Sequence, residues 1–193
     1  MAPLALLDAN VLYPAPLRDL FLWMSYLRVI RAHWTNAIHD EWIRNVARDR
    51  GIDRQVLDAT RKLMDEHSDD ALVSGYEQSE QLFPATDAKD RHVAAAALRV
   101  SKDNQNLQVT IVTWNVRHFA TVELREQGLR KQNPNAFLTQ VFETAQVDVL
   151  SAVRRQRANL KNPPQSADEL LETLARQNLG SFARLIGAHK DRI

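Results

Sequence analysis

The chain has 193 residues, with 25 Lys+Arg against 24 Asp+Glu, a formal charge of +1 and no cysteine. With 45% hydrophobic and 25% charged residues it has the make-up of an ordinary globular protein, long enough for one domain with or without a helical appendage, which excludes intrinsic disorder. The missing cysteines exclude disulfides, zinc–thiolate sites, Fe–S ligation and cysteine nucleophiles. No run approaches the roughly 20 apolar residues of a membrane span, so a soluble, cytoplasmic protein without a signal peptide is expected.

Leu4 to Ala9 is a short apolar run interrupted by Asp8 and followed by Asn10, Pro14 and Pro16, as in a buried parallel strand that ends in a loop. Pro16 then opens a helix in which Leu17, Leu20, Phe21, Met24 and Leu27 recur until about Ile30. His33 to Thr35 is extended, and Thr35 or Asn36 caps a helix carrying Ile38, Trp42, Ile43 and Val46 to a stop at Gly51. Another helix runs from about Asp53 to His67. After the acidic pair Asp69 and Asp70, a mixed stretch ends at Phe83-Pro84, and an Ala-rich helix then covers Asp90 to about Lys102. Val109-Thr110-Ile111-Val112-Thr113 is the strongest strand, β-branched throughout. Beyond Phe119 the sequence shows no second strong β-run. A helix from Asn135 to about Leu160, a break at Asn162-Pro163-Pro164 and helices over 167–177 and 180–189 complete the chain. This order predicts an α/β fold, a parallel sheet with helices on its faces, divided into a domain over 1–130 and a helical C-terminal extension over 131–193.

Residues 1–116 carry a net −3 and residues 117–193 a net +4. The basic cluster Arg154, Arg155, Arg157 and Lys161 reads either as a phosphate-facing patch or as a solvated helix face.

In open parallel sheets ligands bind beyond the carboxyl ends of the strands. Asp8 ends the first strand, and Thr113-Trp114-Asn115 ends the Val109–Val112 strand. Asp87 and Asp90 precede the Ala-rich helix, and Glu41 lies one turn into its own. Each has an ordinary alternative: Asp87 as a turn or cap residue, Asp90 as a helix cap, Glu41 as a solvated helix residue. If Asp8, Glu41 and Asp90 do converge, their repulsion calls for a hard divalent cation such as Mg²⁺ or Mn²⁺, and that combination favours phosphodiester hydrolysis. His39 beside Asp40 reads as a surface pair rather than a general base. Trp23, Trp34 and Trp42 read as core, whereas Trp114 at the strand end is a candidate RNA contact.

Leu6-Leu7-Asp8-Ala9-Asn10-Val11-Leu12 resembles the opening of a PIN domain. Asp90-Arg91-His92-Val93-Ala94-Ala95-Ala96-Ala97 is similar to that family's Asp and following helix. Ile111-Val112-Thr113-Trp114-Asn115-Val116-Arg117-His118-Phe119 is similar to its strand, Thr-x-Asn/Asp and closing Phe, and Thr35-Asn36-Ala37-Ile38-His39-Asp40-Glu41-Trp42 to the helix bearing its Glu. The resemblance spans roughly residues 4–120. It implies a three-layer α/β/α fold with a central parallel sheet and Mg²⁺- or Mn²⁺-dependent endoribonuclease activity, often as a VapC-type toxin with a cognate antitoxin and as a homodimer. It implies Asp8, Glu41 and Asp90 as metal-binding catalytic acids and Asn115 in the fourth catalytic position. Thr113, Asn10, Asp87 and His118 would support them, and Trp114 and Arg117 would contact RNA. Asn115 replaces an Asp, and His118 stands where many members carry an acid, where it reads as a helix cap. These departures keep a second expectation open, a PIN-like RNA- or protein-binding module weakened in cleavage. An aspartate-nucleophile phosphatase would want an acid two residues after Asp8, where Asn10 stands.

Overall fold

The computed structural model describes residues 1–193 apart from Asp69, so that half of the acidic pair opening the mixed stretch lies outside the described residues. Five parallel strands form the sheet: β1 (Leu4–Leu7), β2 (Arg31–Thr35), β3 (Leu72–Val73), β4 (Val109–Val112) and β5 (Arg130–Gln132), in the spatial order β3-β2-β1-β4-β5. β1 lies at the centre and is buried at all four positions. Helices cover both faces of a parallel sheet, so a contiguous apolar run such as Leu4–Leu7 suits it better than alternation would.

The chain first builds outward on one side. α1 (Ala9–Leu12) and α2 (Ala15–Tyr26) connect β1 to β2, and α3 (Asn36–Arg50) and α4 (Arg54–Glu66) connect β2 to β3. It then returns past β1 through α5 (Arg91–Asp103) to β4, and through α6 (Thr121–Glu126) to β5. Right-handed crossovers in opposite directions place α1–α4 on one face and α5 on the other, which makes the three-layer α/β/α arrangement. Ala94, Ala95, Ala96 and Ala97 are fully buried, and their small side chains let α5 lie close across β1 to β4. Gly51 ends α3 in the left-handed conformation at φ 63°, where a side chain would be strained.

Three features depart from expectation. Ala9–Leu12 is a single helical turn rather than loop, β3 lies inside the mixed stretch, and Arg130–Gln132 is an edge strand despite its polar sequence. In the last case β4 supplies the pairing partner, because Thr110, Ile111 and Val112 stand against Arg130, Lys131 and Gln132. The C-terminal segment folds into α7 (Pro134–Asn159), α8 (Ala167–Arg176) and α9 (Gly180–Gly187). α7 breaks helical geometry at Ala145, packs on α2 and α9, and sends the Gln156 amide to the Pro16 carbonyl at 2.8 Å. Arg154, Arg155 and Lys161 of the basic cluster are exposed. No helix among the described residues is long and apolar enough to cross a membrane.

Candidate metal centre

The order β3-β2-β1-β4-β5 reverses direction between β1 and β4, which puts the switch point, where ligands bind in such sheets, beyond the carboxyl ends of these two strands. Leu7 pairs with Val112, which puts the next residues, Asp8 and Thr113, side by side. Asp8 is only 3% exposed. Its Oδ1 accepts from the Ala9 amide at 2.6 Å, and its Oδ2 accepts from the Thr113 hydroxyl at 2.6 Å and the Asn10 amide at 2.7 Å. A carboxylate offers about four lone pairs, so the one left open is on Oδ1.

Thr113 and Asn10 form the frame around that carboxylate. The Thr113 hydroxyl also accepts from Asn10 Nδ2 (3.1 Å) and from the Asn115 amide (2.9 Å), while Asn10 Oδ1 accepts from the Trp114 amide (3.0 Å). A hydroxyl that must both donate and accept explains why a small alcohol stands there. Burial pushes the Asp8 carboxyl up to about 6. The charges of Glu41 and Asp90 add to the rise, and the bonds from Thr113 and Ala9 hold it back. Glu41 and Asp90 are thus within electrostatic range of Asp8, although they arrive from α3 and from the start of α5.

Glu41 is half-buried beside the buried Trp42, and among the described residues its carboxylate has no hydrogen-bond or ion-pair partner. Asp90 is 8% exposed. It immediately precedes α5, yet its side chain does not cap that helix, and the Asp87 side chain caps nothing either. Both carboxylates instead meet His118: Nδ1 lies 2.9 Å from Asp90 Oδ2 and 3.4 Å from Asp87 Oδ2. The expectation that His118 caps a helix is therefore corrected. His118 ends a short 3-10 turn (Val116–His118), and its ring pairs with two carboxylates from another loop. Asp87, Asp90 and His118 are the group of three among the described residues whose ligand atoms all lie within 4.8 Å of one another; Asp8 and Glu41 stand outside that radius.

Two loops make this juxtaposition, and they are clamped without help from the His118 ring. The Glu123 carboxylate accepts from the Ala85 amide (2.6 Å), the Thr86 amide (3.1 Å) and the Thr86 hydroxyl (3.0 Å). Buried Thr86 accepts in turn from the Ala120 amide (3.1 Å), and the Asp87 amide donates to the His118 carbonyl (2.9 Å). Two nearby cations face backbone. Arg91 donates to the Thr86 and Pro84 carbonyls, and Lys131 donates to the Phe119 carbonyl, with burial lowering its pKa.

Around the rim, Asn115 is half-buried and its side chain has no partner among the described residues, Trp114 is half-buried against the core, and Arg117 is exposed. His39 does not lie on the surface as the sequence implied. It is fully buried, accepts from Trp42 Nε1 at Nδ1 (2.9 Å) and lies 3.1 Å from Asp65 at Nε2, and burial lowers its pKa. Its partner comes from α4, 26 residues away, a distance that adjacency to Asp40 could not reveal. Trp34 and Trp42 are core, as expected, and Trp23 is half-buried.

The donor set fits a hard divalent cation. Four carboxylates share one edge of the sheet, His118 is the single basic side chain among the described residues paired with any of them, and oxygen donors of this kind suit Mg²⁺ or Mn²⁺. The fold is three-layer α/β/α, and an acidic group able to hold a divalent metal stands at its switch point. Residues 134–188, which span α7 to α9, match the family model described as the VapC50 C-terminal domain, and this relates the helical end of the chain to VapC proteins. No curated protein and no solved structure matches the chain.

Proposed function

We propose that this protein is a Mg²⁺- or Mn²⁺-dependent endoribonuclease of PIN type and the toxin of a type II toxin–antitoxin pair. The observation that carries the reading is the arrival of Asp8, Glu41 and Asp90 from three separate elements at the switch-point edge, close enough that Glu41 and Asp90 raise the Asp8 pKa. The VapC50 C-terminal match over 134–188 supports the toxin role, and with it an RNA substrate, a cognate antitoxin and a cytoplasmic setting. The same match supports a division into a catalytic unit over 1–130 and a helical extension over 131–193; a homodimer is part of the PIN-type reading.

Asp8, Glu41 and Asp90 would hold the cation, with Asn115 offering a neutral carbonyl oxygen in the fourth position. When bound, such an ion neutralises the charge developing on a phosphodiester and lowers the pKa of the attacking water. Thr113 and Asn10 keep the Asp8 carboxylate in one orientation, so its free lone pair has a fixed direction. Arg117, exposed at the rim, serves to pair with a backbone phosphate, and Trp114 offers its ring to a base. Asn115 also favours a second reading, a PIN-like binding module, because it withholds one negative charge from the centre.

The test is cleavage of a mixed RNA substrate with Mg²⁺ or Mn²⁺ by the wild type, Asp8→Asn and Asp90→Asn. Metal-dependent cleavage by the wild type and its loss in both variants is expected. Unchanged cleavage in both variants defeats the assignment, and wild-type RNA binding without metal-dependent turnover selects the binding module.

A further inference from the structure

Asp87 and His118 are surplus to a centre made of Asp8, Glu41 and Asp90, yet their ligand atoms lie within 4.8 Å of that of Asp90. We propose that His118 is a nitrogen ligand, forming with Asp87 and Asp90 a mixed N/O cation subsite that selects Mn²⁺ over Mg²⁺. The inference rests on reading the edge as a metal centre and names which of the chain's residues choose the ion.

Four observations carry it. Nδ1 of His118 and an oxygen from each of Asp87 and Asp90 lie mutually within 4.8 Å, a span that one ion can bridge. Neither carboxylate caps a helix, so the ordinary uses of an Asp at a helix start do not account for them. The loops are held together by Glu123, Thr86 and the Asp87–His118 backbone bond, so the ligand atoms are gathered before any ion arrives. Finally, Arg91 and Lys131 are committed to backbone carbonyls, and among the described residues no Lys or Arg pairs with Asp87 or Asp90. The negative charge at this edge is thus left for a ligand.

The imidazole decides which ion. Mg²⁺ takes oxygen donors and dehydrates reluctantly, whereas first-row transition ions accept imidazole nitrogen readily. His118 Nδ1 faces the Asp90 carboxylate at 2.9 Å. As a ligand, the neutral ring would carry its single proton on Nε2 and offer the Nδ1 lone pair to the ion.

The test uses the full chain with Mn²⁺ alone and no RNA. Pulsed EPR of the Mn²⁺-loaded wild type should show nitrogen hyperfine modulation, and it should vanish in His118→Asn and in His118→Asp, with thermal unfolding identifying which variants are folded. In competition, loss of the nitrogen should weaken Mn²⁺ binding by about 10-fold while Mg²⁺ binding shifts by less than about 3-fold, the lower end of what a lost metal-site interaction costs. Bound Mn²⁺ without nitrogen modulation, modulation that persists in a folded variant, or no Mn²⁺ uptake at all would each overturn the assignment. RNA cleavage with Mg²⁺, measured on the same samples, keeps the two readings apart: its survival without modulation leaves the nuclease standing and removes only the His118 ligand.

Discussion

Asp8 and Asp90 stand at the same sheet edge, but the chain holds them differently. Asp8 follows the central strand, is almost fully enclosed, and has three of its four lone pairs filled by Ala9, Asn10 and Thr113. Asp90 sits between two loops, its carboxylate bonded among the described residues to His118 alone, and the order there comes from a clamp behind it rather than from bonds to the carboxylate. The first arrangement fixes a charge by surrounding it and bears the cost of desolvation. The second fixes the backbone and leaves the carboxylate open. The centre thus has a closed side, a closely bonded acid, and an open side, a nearly buried acid whose lone pairs are mostly free.

The largest effect should come from titrating the closed side in metal-free protein. Asp8 titrates at about 6 when folded, against an ordinary 3.8, so its ionised form destabilises the fold above that pH. At 1.36 kcal/mol per unit the difference is about 3 kcal/mol. The destabilisation is full above pH 6 and is relieved as pH falls toward 3.8. Buried His33, lowered to about 4, works in the opposite direction: between its ordinary 6.5 and 4, acid removes stability. Urea unfolding in EDTA therefore has to be read as wild type minus Asp8→Asn, which cancels the His33 contribution. That difference should move by about 2.4 kcal/mol in favour of the wild type between pH 7.5 and pH 4. Parallel profiles would show that Asp8 is not desolvated as described.

Thr113→Val probes the frame instead of the charge. The shape is kept, but Asp8 loses its shortest side-chain donor, and the Asn10 and Asn115 donors lose an acceptor. Unfolding free energy should drop by about 2 kcal/mol, the range for a buried group left without its partner. Thr113→Ser should recover most of it, and equal stability of the two variants would make the hydroxyl irrelevant.

The open side was the harder half to foresee from sequence, for a physical reason. β1 and β4 announce themselves because a strand buried on both faces is a contiguous apolar run, and Asp8 and Thr113 follow from where those runs end. β5 does not, since Arg-Lys-Gln acquires its strand conformation from pairing with β4 and not from its own propensity. His118 and Asp90 are 28 residues apart, and their meeting depends on Glu123 reaching back to Thr86 across 37. No local period encodes such a contact. The burial of His39 through Asp65 is the same kind of event.

Glu123→Ala tests whether the clamp is what gathers the open side. It removes three acceptor contacts from residues 85 and 86, so the Asp87–Asp90 loop should loosen against 118–120. Mn²⁺ affinity, followed by EPR of the free ion, should fall by about 10-fold, as for outer-shell supports of metal ligands. Glu123→Gln keeps one acceptor oxygen and should restore part of that loss. A stability change with unaltered Mn²⁺ affinity would reduce Glu123 to a structural residue.

The smallest effect belongs to Asp87→Asn. Its carboxylate is about half exposed and lies 3.4 Å from His118, against 2.9 Å for the nearly buried Asp90. Water screens an exposed charge, so its attraction for an ion is a fraction of what an enclosed carboxylate provides. The Asn side chain also keeps an oxygen in place. Mn²⁺ affinity should fall by about 3-fold, within the range typical of exposed charge pairs, and the deficit should shrink as salt is raised. Asp90→Asn should show a larger deficit that salt scarcely changes. If the two substitutions respond to salt alike, the open side is less graded than its burial implies, and Asp87 is as much a ligand as Asp90.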